Sequence, residues 1–171
     1  QEGHVQLKRE WQPLEEVVGG ALAGLTARMV NHPVTVKLPR DLPLVEIDSL
    51  LIERVFANLL ENAVKYTPSA GTVSVRYWAD ALGSHVAVAD TGIGIPAAHI
   101  PRLTERFYRV DAGRSRKLGG SGLGLAIVKH ALQRHGAQLE ITSEEGKGST
   151  FTCHFPHARV QQREGPAAGV A

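Results

Sequence analysis

The chain has 171 residues, 43% of them hydrophobic and 21% charged, the composition of one folded domain and not of a disordered segment. A net charge of +2 gives no general argument for nucleic acid or an anionic membrane, and the single cysteine, Cys153, excludes a disulfide scaffold or a multi-cysteine zinc site. The longest apolar stretch, Val17 to Ala27, holds three glycines and falls short of the ~18–20 residues a membrane span needs; the sequence opens on Gln1 with no signal-peptide pattern, as a piece of a longer protein would.

In chain order, Val5 to Trp11 reads as a short strand and Glu15 to about Val30 as a helix, with Val17, Val18, Leu22, Leu25 and Met29 on one side and Pro33 beyond its end. Val34 to Leu38 alternates as a strand does. Asp48 is placed to cap a long helix running to about Tyr66, with Pro68 after it. Thr72–Trp78 and His85–Ala89 form a hairpin pattern, Ala97–Phe107 one or two short helices, and Leu123–His135 a helix stopped by Gly136. Leu139–Ser143 and Thr150–Phe155 make a second hairpin around Gly146-Lys-Gly-Ser149. Phe151, Cys153 and Phe155 then face one way, so Cys153 is a core residue and not a reactive thiol. After Pro156 the composition turns to Gln, Arg, Gly, Pro and Ala, which divides the chain into a domain over residues 1–156 and a loose tail over 157–171. The pattern predicts an α+β sandwich: one mostly antiparallel sheet with helices on one face.

Chemistry-bearing residues gather in a few segments. On the helix after Asp48, Asn58, Asn62 and Lys65 share a narrow arc beside the apolar stripe, with Tyr66 between arc and stripe. Amide oxygens suit Mg²⁺, an ammonium neutralises phosphate, and a tyrosine ring stacks on a flat base; a plain polar helix flank would give the same arc. Asp90-Thr-Gly92-Ile-Gly94-Ile95-Pro96 places a carboxylate at a strand end, followed by glycines that let a flat ligand approach the backbone, although an ordinary Asp-x-Gly turn has this form too. Gly119-Gly120-Ser121-Gly122-Leu123-Gly124-Leu125 runs into a helix N-terminus, a place for phosphate or simply a hinge, and it matches neither a P-loop nor a dinucleotide fingerprint. From Arg102 to Lys117 six bases outnumber two acids, a net of +4 ahead of that glycine cluster, which suits an anion-handling loop.

In this order the segments resemble the catalytic ATP-binding domain of bacterial sensor histidine kinases, within the gyrase, Hsp90, histidine kinase and MutL ATPase superfamily. Asn58–Tyr66 resembles the asparagine box, Asp90–Gly94 the first glycine box, Glu105-Arg-Phe107-Tyr-Arg109 the phenylalanine box, Gly120–Ala126 the second glycine box and Gly146-Lys-Gly148 a looser third. The likeness covers about residues 5–156; Glu10–Pro68 looks more like the turgor and potassium sensor kinases, Glu105–Pro156 more like the phosphate-regulon kinases.

The resemblance implies ATP and Mg²⁺ as ligands. Asn62 would ligate the ion with Asn58 assisting, Lys65 would meet the phosphates, and Tyr66 the adenosine. Asp90 would bind the adenine amino group in a pocket shaped by Gly92, Gly94 and Ile95. Gly120, Ser121, Gly122, Leu123, Gly124 and Leu125 would form the phosphate loop, and about Tyr108–Ser121 a mobile lid anchored by Phe107 on apolar surface. Arg109, Arg114 and Arg116 are its candidates for γ-phosphate contact, among which the resemblance does not choose.

None of the eight histidines stands in the family's phosphoacceptor context, which implies that the histidine receiving the phosphoryl group lies on a separate dimerisation domain upstream and that a response regulator receiver is an indirect partner. The expected setting is the cytoplasmic portion of a membrane-bound sensor, with no nucleic acid and no direct membrane contact by this segment. Alternatives are a stand-alone ATPase of the superfamily or a nucleotide-binding regulatory module. Against the former, Asn58 occupies the position where those relatives carry a water-activating glutamate, and an amide cannot take a proton from water.

Overall fold

A computed structural model describes residues 6–25, 34–68, 70–109 and 124–162. Its elements are β1 (Glu10–Gln12), α1 (Leu14–Leu25), β2 (Val34–Lys37), β3 (Leu44–Ile47), α2 (Ser49–Lys65), β4 (Val73–Asp80), β5 (Gly83–Asp90), a 3-10 turn Ala97–Arg102, α3 (Gly124–Arg134), β6 (Gln138–Glu144), β7 (Gly148–Pro156), a second 3-10 turn His157–Arg159 and β8 (Val160–Gln161).

Five strands form the main sheet in the order β2-β4-β5-β7-β6. Only β2 and β4 run parallel; the other neighbours are antiparallel hairpins or a long return. Val75 and Tyr77 of β4 pair through Val88 and Val86 of β5 to Phe151 and Cys153 of β7, so one face of the sheet is apolar across its three middle strands. That face joins α1, α2 and α3 in a single core built on Ile52, Val55, Phe56, Leu59, Leu60, Val128 and Leu132. Cys153 is wholly buried there and its thiol is pushed up to about 12 by desolvation alone, which fits a packing residue.

The opposite face is polar. A line of hydrogen bonds crosses four strands from Asp80 Oδ1 to His85 Nε2 (2.8 Å), His85 Nδ1 to His154 Nδ1 (2.7 Å) and His154 Nε2 to Glu140 Oε1 (2.7 Å). Beside it the Arg76 guanidinium lies 4.3 Å over the Trp78 ring.

The observed elements depart from the sequence reading in several places. The first strand is only Glu10–Gln12, and α1 is described to Leu25, residues 26–33 lying outside the described set. The first hairpin is longer than expected, because Asp80 pairs with Gly83 across a two-residue turn whose Leu82 N–H is held by Asp80 Oδ1 at 2.9 Å. Within Ala97–Phe107 the short helix is a 3-10 segment ending at Arg102, with Pro101 inside it lacking the N–H an α-helix needs. A second sheet, β1-β3-β8, has no counterpart in the sequence pattern. In it Val160 pairs with Val45, and Arg159 Nη1 reaches Glu46 Oε1 at 2.8 Å, so residues 159–161, beyond the expected boundary at Pro156, are held against β3.

Candidate nucleotide site

Helix α2 is started by Asp48. Its Oδ1 accepts the N–H groups of Leu50 (3.2 Å) and Leu51 (3.3 Å), and its Oδ2 accepts that of Lys8 (3.1 Å). The cap satisfies donors that a first turn would leave orphaned and so fixes the phase of the helix. With the apolar stripe in the core, Asn58, Asn62 and Lys65 come out on the half-buried flank expected for them. The helix ends where Tyr66 N–H bonds to Asn62 O and Thr67 Oγ1 donates to Ala63 O at 2.6 Å.

Two other segments meet this flank. At its C-terminal end Ile93 N–H bonds to Tyr66 O at 3.3 Å, and a Cβ on Gly92 would stand 2.3 Å from that same carbonyl. At its middle, Asn58 Nδ2 donates to Arg54 O (3.0 Å), which leaves Oδ1 turned towards the start of α3, where a Cβ on Gly124 would lie 3.2 Å from it. The asparagine flank therefore lies between the Asp90 turn and the N-terminus of α3, where free N–H groups favour an anion.

Asp90 closes β5, half-buried at the sheet's end. Burial pushes its carboxyl above the ordinary range, partly offset by the N–H groups of Gly92 (2.8 Å to Oδ1) and Ser149. The turn that follows is pressed against the β6–β7 hairpin. Gly146 N–H bonds to Ile93 O at 2.7 Å. A Cβ on Gly94, whose φ is +71°, would meet Glu144 O at 2.1 Å, and one on Gly148 would meet Asp90 O at 2.0 Å. These close approaches are why positions 94 and 148 are glycine. Ile95 leans on the core, as does Leu125 from α3.

In the phenylalanine box, Tyr108 is held by a hydrogen bond between its hydroxyl and His99 Nδ1 and by the Arg102 guanidinium 4.5 Å over its ring, with Arg102 paired to Glu105 at 3.1 Å. Phe107 does not pack on the described core. It is 63% exposed at φ +66°, whereas Leu103, four residues earlier, is 7% exposed. A left-handed backbone at a bulky residue marks local strain. Arg109 is half-buried at the end of the described segment; Arg114, Arg116, Gly120, Ser121, Gly122 and Leu123 lie outside the described residues. Sequence reasoning missed Ser143 and Ser149, which bond to each other at 2.8 Å beside Asp90; alternation in a strand gave no signal for them. Among the described residues no group of three or more His, Cys, Asp or Glu side chains converges as a metal site, and no helix is long and apolar enough to cross a membrane.

A two-layer sandwich with a carboxylate, a glycine turn and an asparagine flank around one helix end is the architecture of a nucleotide-binding ATPase domain. The chain belongs to the family described as histidine kinase-, DNA gyrase B- and HSP90-like ATPases, which matches residues 47–159. It is 60% identical over 113 residues to the phosphate regulon sensor protein PhoR of Pseudomonas aeruginosa, an alignment covering 66% of this chain and 26% of that protein. It is 38% identical over 163 residues to the sensor histidine kinase WalK of Bacillus subtilis, covering 92% of this chain and 26% of that one. Among solved structures it is similar to the mycobacterial sensor histidine kinase MprB (TM-score 0.76, 28% identity, 90% of this chain and 100% of that one) and to full-length ShkA in complex with AMPPNP (TM-score 0.79, 25% identity, 95% and 33%). The chain thus spans about a quarter of the length of the curated relatives it matches.

Proposed function

We propose that this chain is the catalytic ATP-binding portion of a two-component sensor kinase, which binds Mg-ATP and passes the γ-phosphoryl group to a histidine on a separate dimerisation domain. The observation that carries this is the placing of the Asn58–Tyr66 flank between Asp90 and the N-terminus of α3. In this reading Asp90 accepts from the adenine amino group, Gly92, Gly94 and Ile95 shape its pocket, and Tyr66 lies along the nucleoside. Lys65 and the N–H groups from Gly120 to Leu125 neutralise the phosphates, with one of Arg109, Arg114 and Arg116 joining them. Phe107, strained and exposed, is available to the lid.

The two carboxamides fit Mg²⁺. Asn58 has its nitrogen committed to Arg54 O, so its oxygen is the free end, and Asn62 follows one turn later. The ion would supply charge neutralisation on the phosphates. What the residues contribute is position and electrostatics, the main demands of phosphoryl transfer. The domain has no nucleophile of its own in this scheme; a receiver domain would take the group onward, all on the cytoplasmic side. The domain boundary falls beyond Gln161, with any tail after it.

The test is a transfer assay. The chain alone should bind Mg-ATP without labelling itself, and a separate hairpin bearing the phosphoacceptor histidine should become labelled in trans, weakly because the effective concentration of a native linker is lost. The label should be acid-labile and alkali-stable. Rapid phosphate release by the chain alone, abolished in Asn62→Ala, would favour the stand-alone ATPase instead.

A further inference from the structure

Asp90, Ser149 and Ser143 are directly paired neighbours across β5, β7 and β6. All lie on the helix-facing side, since Val88, Phe151 and Ile141 two residues away face the core. Ser143 Oγ makes three hydrogen bonds. It accepts from Ile95 N–H at 2.8 Å, donates to Gly148 O at 3.0 Å and lies 2.8 Å from Ser149 Oγ. A hydroxyl has one hydrogen and two lone pairs. The Gly148 carbonyl can only accept, so the Ser143 hydrogen is committed there and the contact with Ser149 runs the other way, from the Ser149 hydroxyl to Ser143. Ser149 is 7% exposed and its hydrogen is thereby used up. The row Asp90–Ser149 then presents acceptors only: a carboxylate whose N–H partners are Gly92 and Ser149, and a hydroxyl oxygen with no hydrogen to give.

We infer that Ser143 is a positioning residue for base recognition: it ties the Asp90–Ile95 turn to the β6–β7 hairpin and orients the Ser149 hydroxyl so that the adenine end of the site accepts amino groups and rejects carbonyls. This rests on the nucleotide reading above. Ser143 need not touch the ligand. Its hydroxyl joins three backbone or side-chain groups from two segments, and removing it frees Ile95 N–H and lets the Ser149 hydroxyl turn and donate. A guanine carbonyl, repelled by a row of acceptors, would then find a donor.

The experiment measures binding of the magnesium complexes of the imido analogues of ATP and GTP to the chain and to Ser143→Ala and Ser143→Thr, with melting temperature and amide exchange at Ile95 recorded without nucleotide. Ser143→Ala should weaken the ATP analogue by about tenfold and narrow the ATP-to-GTP preference by a similar factor. Exchange at Ile95 should quicken with little change in melting, and Thr, which keeps the hydroxyl, should restore all of these. A preference ratio unchanged in Ser143→Ala, or not restored by Thr, overturns the proposal, because a merely structural loss would weaken both analogues alike. If Ser143→Ala does not fold, Ser143→Val, which matches the rescuing Thr in shape but lacks its hydroxyl, carries the same test, and an unchanged ratio there overturns it too. Wild-type chain that binds neither analogue while Ile95 remains protected would instead defeat the nucleotide reading itself, and base selectivity with it.

Discussion

The backbone N–H of Asp48 donates to Nε2 of His135 at 3.0 Å, joining the residue that starts α2 to the one that follows α3. His135 is wholly buried, and its Nδ1 donates to Ala131 O at 2.7 Å. One ring nitrogen gives and the other receives, so the neutral Nδ1–H tautomer is built in.

This geometry sets a pH dependence. Desolvation holds His135 below its ordinary range. A group whose folded value is depressed contributes its stability above the unfolded value, ~6.5, and loses it as pH falls through the folded value, when a second ring proton meets the Asp48 N–H. Urea unfolding should therefore show falling stability below pH ~6.5. His135→Leu should lose about 1–3 kcal/mol at pH 7.5 by leaving the Asp48 N–H without a partner, and should flatten part of that slope. An identical slope in the variant would assign it to other groups.

Asp90→Asn should abolish tight nucleotide binding and leave the fold intact. An amide turns one acceptor into a donor that faces the adenine amino group, an effect of ~1–3 kcal/mol or more. Because burial raises the Asp90 carboxyl, wild-type affinity should also fall as acid approaches that raised value, with the ionised form binding and the protonated form not. Calorimetry showing unchanged ADP affinity in the variant would remove Asp90 from the site.

Gly94→Ala and Gly146→Ala separate strain from collision. Both positions have positive φ, +71° and +85°, but a Cβ at Gly94 would lie 2.1 Å from Glu144 O whereas Gly146 has open space. Gly146→Ala should cost only the left-handed backbone, about 1–2 kcal/mol. Gly94→Ala must also push the Asp90 turn off the β6–β7 hairpin, so it should lose nucleotide binding as well. Equal melting and equal affinity in the two variants would contradict this.

Truncation after Pro156 should destabilise the domain relative to truncation after Gln162. The shorter chain loses β8 and the Arg159–Glu46 pair, whose side chains are 27% and 32% exposed. The expected difference is about 1–3 kcal/mol of unfolding free energy. Coincident denaturation curves would show that the strand adds nothing.

Much of this was visible in the sequence because period carries it. The cap at Asp48 and the stripe from Ile52 to Ala63 locate α2 and, by phase alone, its asparagine flank. The hairpins of β4–β5 and β6–β7 announce themselves by alternation and glycine turns. What stayed hidden has few local signs: β3 and β8 are four and two residues long and are held by distant partners, β3 by β1 and β8, and β8 by β3, while the Asp48–His135 bond spans 87 positions. The anchoring role of Phe107 comes from the resemblance alone, and its positive φ and its exposure have no sign in the local sequence.

Strand β5 stands third of five in the main sheet and is bonded along both edges, to β4 on one side and β7 on the other. Asp90 is its last residue. The carboxylate proposed for the base therefore projects from the central strand of the sheet, and little chain ordering has to accompany contact with it. In the proposed nucleotide reading, low entropic cost at that end would set affinity for the base before any triphosphate arrives. Gain and loss of the terminal phosphate can then change events at the other end of the pocket without releasing the nucleoside.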